Sequence, residues 1–201
     1  ARLVEAGVTE ISPSLHGPTA EVHDELTRAP GSFDETTRGI ENAVTAGLSV
    51  LTNSVITRSN VELLAETVEL LAGLGVRSAQ LAFVHPVGTA LEEFDEVVPR
   101  LSAVVEPLRR ARGVALEHGV RLCTEAIPVC FLRGMEELAV EACIPLTTVS
   151  DLAGRLDYSE WRVAEGKAHG PPCEACAARP GCEGPWREYP ERRGWSEMQP
   201  L

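Results

Sequence analysis

Long apolar runs, a secretion signal and an excess of basic residues are all missing from this chain of 201 residues. No apolar run reaches the length of a transmembrane helix, and no signal peptide is visible. Lysine and arginine total 18 against 30 aspartates and glutamates, so the net charge is −12. We therefore expect a cytoplasmic protein with no nucleic-acid or membrane partner, since both partners need basic patches.

Hydrophobic residues make up 44% of the chain, which is enough to build a core. The length fits one domain with a small appendage. The sequence begins at Ala1 and not at Met, so we expect that an upstream part is missing.

Residues 1–126 alternate between the strand and helix periods. Strands are predicted at residues 8–17, 48–56, 78–88 and 120–126. Helices are predicted at residues 32–47, 59–75 and about 99–118, after the end of another helix at residues 1–6. Capping boxes, Ser32 with Glu35 and Ser59 with Glu62, open two of them. The alternation predicts βαβ units and an α/β fold with a parallel sheet. Four parallel strands alone would leave one long edge of the sheet unpaired, which indicates part of a larger barrel or sheet.

Residues 127–201 lose this alternation. They hold most of the prolines and all three tryptophans, with one short helix predicted around residues 135–142. A tail without periodic apolar residues needs a staple to stay folded.

Three cysteines of this tail have the spacing of a metal site. Cys173 and Cys176 form a C-x-x-C pair, and Cys182 follows a turn-forming "RPG". A fourth ligand is needed, for which Cys130 is the first candidate and His169 the second. Spacing alone leaves zinc, an iron–sulfur cluster and an unmetallated set of thiols open.

The other two cysteines, Cys123 and Cys143, fit small core residues better than ligands. Disulfides are not expected, because nothing marks the chain as secreted.

Polar residues stand at the carboxyl ends of the first three predicted strands, where parallel α/β sheets bind ligands. They are Ser14, His16, Asn53 and His85. Each side chain could equally be a satisfied structural polar group. Their shared position at strand ends favours a small-molecule site.

The ordered series of motifs resembles the radical SAM enzymes. The segments are "SLHG", "VHDELTRAPGSF", "NSVITRSN" and "LGVRSAQLAFVHPVGTA", and the tail "CEACAARPGCEGPW" resembles a SPASM or shortened twitch extension. The resemblance implies a partial (β/α)6 TIM-like barrel over residues 1–126 and an auxiliary-cluster extension over residues 127–201. The C-x-x-x-C-x-x-C motif that binds the catalytic cluster in this family is absent from the chain.

By this resemblance, Cys130, Cys173, Cys176 and Cys182 hold an auxiliary 4Fe–4S cluster, and a second 4Fe–4S cluster belongs to the missing upstream part. Ser14 and Asn53 match positions that contact S-adenosylmethionine (SAM), whereas His16 and His85 face either SAM or substrate.

The activity that the family implies is reductive cleavage of SAM to methionine and a 5′-deoxyadenosyl radical, which modifies a peptide or small-molecule substrate. The electron donor is expected to be a flavodoxin or ferredoxin. The chain alone is expected to be inactive.

Two other classes of protein fit the residues. One is a zinc-stapled α/β binding or regulatory protein without redox activity, and the other is a barrel hydrolase or aldolase-like enzyme with a zinc tail. No nucleophile motif or close carboxylate pair supports the hydrolase.

Overall fold

The computed structural model describes residues 2–140, 146–152 and 154–201. Its centre is a parallel sheet in the order β1-β2-β3-β4, which confirms the predicted α/β class and strand direction. The four strands are Glu10–Ile11, Ser49–Ile56, Ser78–Phe83 and Arg121–Glu125. Cys143 lies outside the described residues.

The helices before and between these strands are α1 to α7. They span Arg2–Glu5, Ala20–Thr27, Ser32–Thr45, Leu64–Gly73, Thr89–Glu92, Phe94–Val97 and Leu101–His118, with a 3₁₀ turn at Val61–Leu63 before α4. The long helix α7 ends at Gly119, as predicted, because Gly119 adopts a positive φ of 65° that closes the last turn. None of the helices in these described ranges combines the length and apolarity that crossing a bilayer would require.

The two faces of the sheet differ in burial. Alternate residues of β2, such as Val50 and Ile56, are buried in one core with side chains of α3, α4 and α7, whereas Asn53 and Val55 are only half-buried. Successive side chains of a strand point to opposite faces of the sheet, so burial of every second residue indicates that one face is covered. The half-buried face is therefore the one left for a ligand or for the tail.

The first strand is much shorter than predicted. Regular pairing covers Glu10–Ile11 only, and an isolated bridge then joins Ser14 to Asn53. Pro13 interrupts the run because it has no N–H for the ladder. The helix α2, which follows in the sequence, was not predicted.

Both predicted capping boxes are wrong. Ser32 is the first residue of α3, and the Asp24 carboxylate of α2 accepts hydrogen bonds from the backbone N–H groups of Gly31 and Phe33. No side chain caps the 3₁₀ turn after Ser59, and Asn60 instead accepts from the Thr57 N–H at 2.8 Å. A charged acceptor makes a stronger cap than a hydroxyl, so Asp24 displaces the local Ser32 box.

The tail carries short elements only. After 3₁₀ turns at Val129–Phe131 and Glu136–Leu138, an antiparallel hairpin joins β5 to β6, and α8, a π-turn, two more 3₁₀ turns and α9 follow. Their bounds are Thr148–Asp151, Gly154–Asp157, Tyr158–Trp161, Arg162–Gly166, Pro171–Cys173, Arg179–Gly181 and Glu188–Arg193. The helix predicted at residues 135–142 is a single 3₁₀ turn as far as residue 140, and residues 141–142 are outside the described part.

The tail does not lack a core. Trp186, Tyr189 and Met198 are buried in the same apolar cluster as the sheet. The Tyr189 ring lies edge-on to Phe83 at 5.6 Å, and its hydroxyl accepts the Leu101 N–H at 2.9 Å. The prediction that only a staple could hold the tail is therefore wrong, because these aromatic residues bury it directly.

Candidate functional site

Four cysteines of the tail line one small cavity. Cys130 comes from the turn just beyond β4, Cys173 and Cys176 from the turn at Pro171–Cys173 and the residues after it, and Cys182 from the end of the next turn. The chain between Cys130 and Cys173 passes through the hairpin and α8 before it returns to the cavity. The fold therefore brings together sulfurs that are remote in sequence.

The four sulfurs in the cavity influence one another electrostatically. Burial and, to a smaller extent, the other three cysteines raise the pKa of the Cys130 thiol to about 11, against the opposing effect of a backbone hydrogen bond from Gln199. The pKa of Cys176 is lowered, chiefly by a backbone hydrogen bond from Leu201. A metal that replaces the thiol protons would relieve the repulsion among four sulfurs.

His169 lines the same cavity, but it has another contact. Its Nε2 lies 2.8 Å from the carbonyl oxygen of Cys182, which positions the Cys182 segment. This contact makes His169 a neighbour of the four sulfurs and leaves Cys130 as the better fourth ligand. Within residues 2–140, 146–152 and 154–201, no three cysteine, histidine or carboxylate side chains are arranged to hold a single metal ion.

A second site is a cleft of about 760 Å³ at the carboxyl ends of β1 and β2. Its lining includes His16, Val55 and Thr57, together with the charged residues Arg28, Glu25 and Glu93. The cleft is large enough for a nucleoside-sized ligand. Of the four polar residues predicted at strand ends, only His16 lines it.

His16 is fixed by backbone hydrogen bonds. Its Nδ1 accepts the Val55 N–H at 3.2 Å, its own N–H donates to His23 Nδ1 at 3.0 Å, and the Asn60 amide donates to its carbonyl at 2.7 Å. Burial, and then the neighbouring His23, lower the pKa of His16 to about 4. His16 is therefore a neutral, oriented ring at pH 7.

Asn60 and Thr57 were not predicted as site residues. Buried Asn60 bonds to Val55 and His16 at once and so holds the loop that ends β2 against the loop that ends β1. The signal for it was present in the "NSVITRSN" segment, whose last residue is Asn60.

The structure separates the other three predicted residues from the cleft. Ser14 is exposed beside Asn53, and the Asn53 Oδ1 is buried without a hydrogen-bond partner in the described residues. His85 stacks on Trp186 at 3.8 Å between ring centres and lies 3.5 Å from the Glu188 carboxylate. Burial is the main cause that lowers the pKa of His85. His85 therefore contacts the tail.

The half-buried face of the sheet forms a polar row across the strands. Asn53, Gln80 and Cys123 are in register on β2, β3 and β4, and Glu125 follows Cys123 on the same face. The Cys123 sulfur lies 3.6 Å from the Ala79 carbonyl, and its side chain is half-buried. The prediction that Cys123 is a core residue is thus wrong, because its alternation in β4 turns it away from the helices.

Arg162 fastens the tail to this face. Its side chain is 4% exposed, and it donates to Glu183 at 2.7 Å and lies 3.9 Å from Glu125, which also accepts from Gln80. A buried charge with one good partner is costly to separate from that partner. Arg162 therefore connects the sheet to Glu183, next to the ligand candidate Cys182.

Comparison with known proteins gives relatives for about half of the chain. It is 35% identical over 103 residues to the AdoMet-dependent heme synthase of Oleidesulfovibrio alaskensis, covering 47% of this chain and 26% of that protein. The corresponding enzyme of Methanosarcina barkeri is 36% identical over 98 residues, covering 49% and 28%. A probable GTP 3′,8-cyclase of Saccharolobus islandicus is 32% identical over 111 residues, covering 50% and 36%.

These relatives are members of the radical SAM family, so the predicted resemblance is confirmed at that level over half of the chain. No protein-family model matches the chain. The matched segments span roughly a quarter to a third of the relatives' own lengths, since they cover 26% to 36% of them. The SPASM or twitch character of the tail stays a prediction.

Proposed function

We propose that this chain is the C-terminal part of a radical SAM enzyme whose tail holds an auxiliary 4Fe–4S cluster. The observation that carries the proposal is the convergence of Cys130, Cys173, Cys176 and Cys182 on one cavity. In this proposal, residues 1–126 are a sector of a partial (β/α)6 barrel, and residues 127–201 are the cluster-binding extension.

We propose a cluster in place of zinc, because the relatives belong to a family that uses 4Fe–4S clusters. A tetrahedral zinc site requires each sulfur about 2.3 Å from one ion, hence sulfurs about 3.8 Å apart. No trio of side chains in the described ranges is arranged for one ion, although four cysteines line one cavity. A cluster binds each cysteine to a different iron and so suits ligands that stand further apart.

The strand-end cleft is the proposed contribution of this chain to the SAM site. Neutral His16 gives a flat, half-buried ring in the lining of the cleft, and the Thr57 and Ser59 hydroxyls supply polar contacts beside it. Asn53 and Ser14 lie outside the lining of this cleft, on the half-buried face of the sheet and at its edge, and the unpartnered Asn53 Oδ1 is an acceptor for a ligand donor. We keep both residues as candidate SAM or substrate contacts.

The chain's own residues fix the loops and the tail around the proposed ligand sites. The Asn60 bonds fix the loops on either side of the cleft, and Arg162 holds the extension over the polar row of the sheet. The chemistry that SAM and the clusters supply in such enzymes is one-electron cleavage of SAM and hydrogen-atom abstraction. The sequence has no C-x-x-x-C-x-x-C motif, so we propose that this chain alone does not cleave SAM.

The substrate class is broader in this proposal than a peptide. The relatives are named for making heme and for cyclising GTP. A small-molecule substrate is therefore as well supported as a peptide. An electron donor of the flavodoxin or ferredoxin type would serve either substrate.

The cluster is tested by changing the four cysteines one at a time. Anaerobically reconstituted protein with Cys173→Ser, Cys176→Ser, Cys182→Ser or Cys130→Ser is expected to lose the brown colour and most of its iron. Cys123→Ser is the matched control, because Cys123 is half-buried outside the cavity and should leave the iron content unchanged. Full retention of iron in all four variants would contradict the proposal.

The cleft is tested by calorimetric titration with SAM. His16→Ala and Thr57→Val should weaken binding at least several-fold, whereas Ser14→Ala, on the exposed edge, should have a smaller effect. Thermal unfolding of each variant separates loss of binding from loss of fold. If SAM binds with equal affinity to the wild type and to both cleft variants, SAM does not bind in this cleft.

A further inference from the structure

The last residues of the chain lie against the cysteine cavity, and no mechanism described above uses them. The backbone N–H of Leu201 donates to the Cys176 sulfur at 3.5 Å. The backbone of Gln199 hydrogen-bonds to the Cys130 sulfur, and the buried side chain of Met198 lines the cavity. Two of the four candidate ligands therefore receive a backbone hydrogen bond from residues 198–201.

This segment is held in place at both ends. The Ala177 N–H donates to the Leu201 carbonyl at 3.0 Å, and the Arg133 guanidinium donates to the carbonyls of Pro200 at 2.8 Å and Gln199 at 3.4 Å. Just before the segment, Glu197 accepts from the hydroxyls of Ser102 and Tyr189. The amide donors thus belong to a strap that is anchored within the tail at Ala177 and Arg133 and, through Glu197, at Ser102 of α7.

We propose that residues 198–201 are a hydrogen-bonding strap that raises the reduction potential of the cluster held by the four cysteines. This inference rests on the proposed function. Reduction adds one electron, and hence negative charge, to the cluster and its sulfur ligands. An N–H group that donates to a sulfur stabilises the reduced state more than the oxidised state, and hydrogen bonds to sulfur are among the factors that set cluster potentials.

The test removes one N–H donor from the strap and keeps the strap carbonyls. Leu201→Pro removes the N–H that donates to Cys176, but it keeps the carbonyl that accepts from Ala177. Leu201→Ala is the matched control, because it shortens the side chain and keeps the N–H. The reduction potential is measured anaerobically by titration with dithionite, whose S–S bond cleaves to two SO2 radical anions that each donate one electron to a cluster and leave as the oxidised sulfur species.

We expect Leu201→Pro to lower the reduction equilibrium constant about threefold to tenfold, a fall of about 30 to 59 mV by the one-electron conversion. Leu201→Ala should keep the wild-type potential. Equal potentials in the wild type and both variants, each with iron fully loaded, would overturn the strap. A wild type that takes up no iron would overturn the proposed function itself, and the two failures are thus distinct.

A second variant keeps the inference testable if Leu201→Pro does not load iron. Arg133→Lys keeps the positive charge near Cys176, but its different side-chain geometry should weaken the contact that the Nη2 of Arg133 makes with both strap carbonyls. We expect its potential to fall in the same direction by a smaller amount. An unchanged potential in Arg133→Lys would count against an anchored strap.

Discussion

The sheet region, residues 1–126, and the tail, residues 127–201, bury their side chains by different routes. In the sheet region, local periodicity decides which side chains are buried, as in the alternation of β2 and the apolar stripe of α7. In the tail, short turns are held by contacts with residues far away in sequence, such as Tyr189 with Leu101 and Arg162 with Glu125. The tail therefore depends on the sheet for its structure.

The largest expected effect comes from the tail's main anchor. Trp186 is 4% exposed, stacks on His85, and lies with its indole N–H 3.4 Å from the Phe83 carbonyl. Trp186→Ala should lower the free energy of unfolding by about 3–5 kcal/mol. Urea denaturation measures it, and exposed Leu152→Ala in the hairpin is the control expected to be near neutral. A loss below about 1 kcal/mol would show that Trp186 does not anchor the tail.

The next effect concerns two glycines on either side of Cys182. A Cβ at Gly184 would lie 2.1 Å from the Ala168 carbonyl oxygen, and Gly184 has a φ of +81°, whereas a Cβ at Gly181 would meet no atom within 4 Å. Gly184→Ala should destabilise the protein by about 2–4 kcal/mol through overpacking and strain. Gly181→Ala should change little. Equal unfolding midpoints for the two variants would show that the loop after Cys182 is not closely packed.

In the sheet region, His16 should make the free energy of unfolding depend on pH. The pKa of His16 is about 4 in the folded chain and about 6.5 when exposed, so the unfolded chain binds the proton first. Neutral His16 therefore contributes about 2 kcal/mol to the free energy of unfolding after solvent screening. This contribution is complete above pH 6.5 and is lost as the pH falls toward 4. His16→Asn keeps an acceptor for the Val55 N–H without titrating, so its stability should fall less between these pH values. If the free energy of unfolding falls equally in the wild type and in His16→Asn as the pH is lowered, His16 is not the group responsible.

The smallest effect distinguishes the two possible caps of α3. Asp24→Ala removes the acceptor of the Gly31 and Phe33 N–H groups, and Glu35→Ala removes only the partner from the predicted capping box. Thermal unfolding should show a lower midpoint for Asp24→Ala and almost no change for Glu35→Ala. A lower unfolding midpoint for Glu35→Ala than for Asp24→Ala would indicate that the local capping box caps α3.

The sequence was sufficient to predict most of the sheet region. β2 follows from the β-branched run at residues 48–56, and α7 follows from its apolar spacing and from Gly119. The start of α3 was mispredicted, because a carboxylate from a different helix outcompetes the local Ser32. Local rules fail where the partner comes from another element.

The cysteine set could be anticipated because thiolate chemistry limits which residues can share a metal. The strap could not, because the donors of Gln199 and Leu201 are backbone N–H groups that any residue but proline provides. Arg162 and Glu183 were missed for a related reason, since a charged pair has no spacing signature when its members meet only after folding.

The central claim is that the tail and the segment after β4 hold one cluster together. Its most direct test is the iron and acid-labile sulfide content of the anaerobically reconstituted wild-type chain. The account predicts four irons and four sulfides per chain, with Cys130→Ser well below that content. One zinc per chain with no sulfide, or full iron and sulfide in Cys130→Ser, would contradict it.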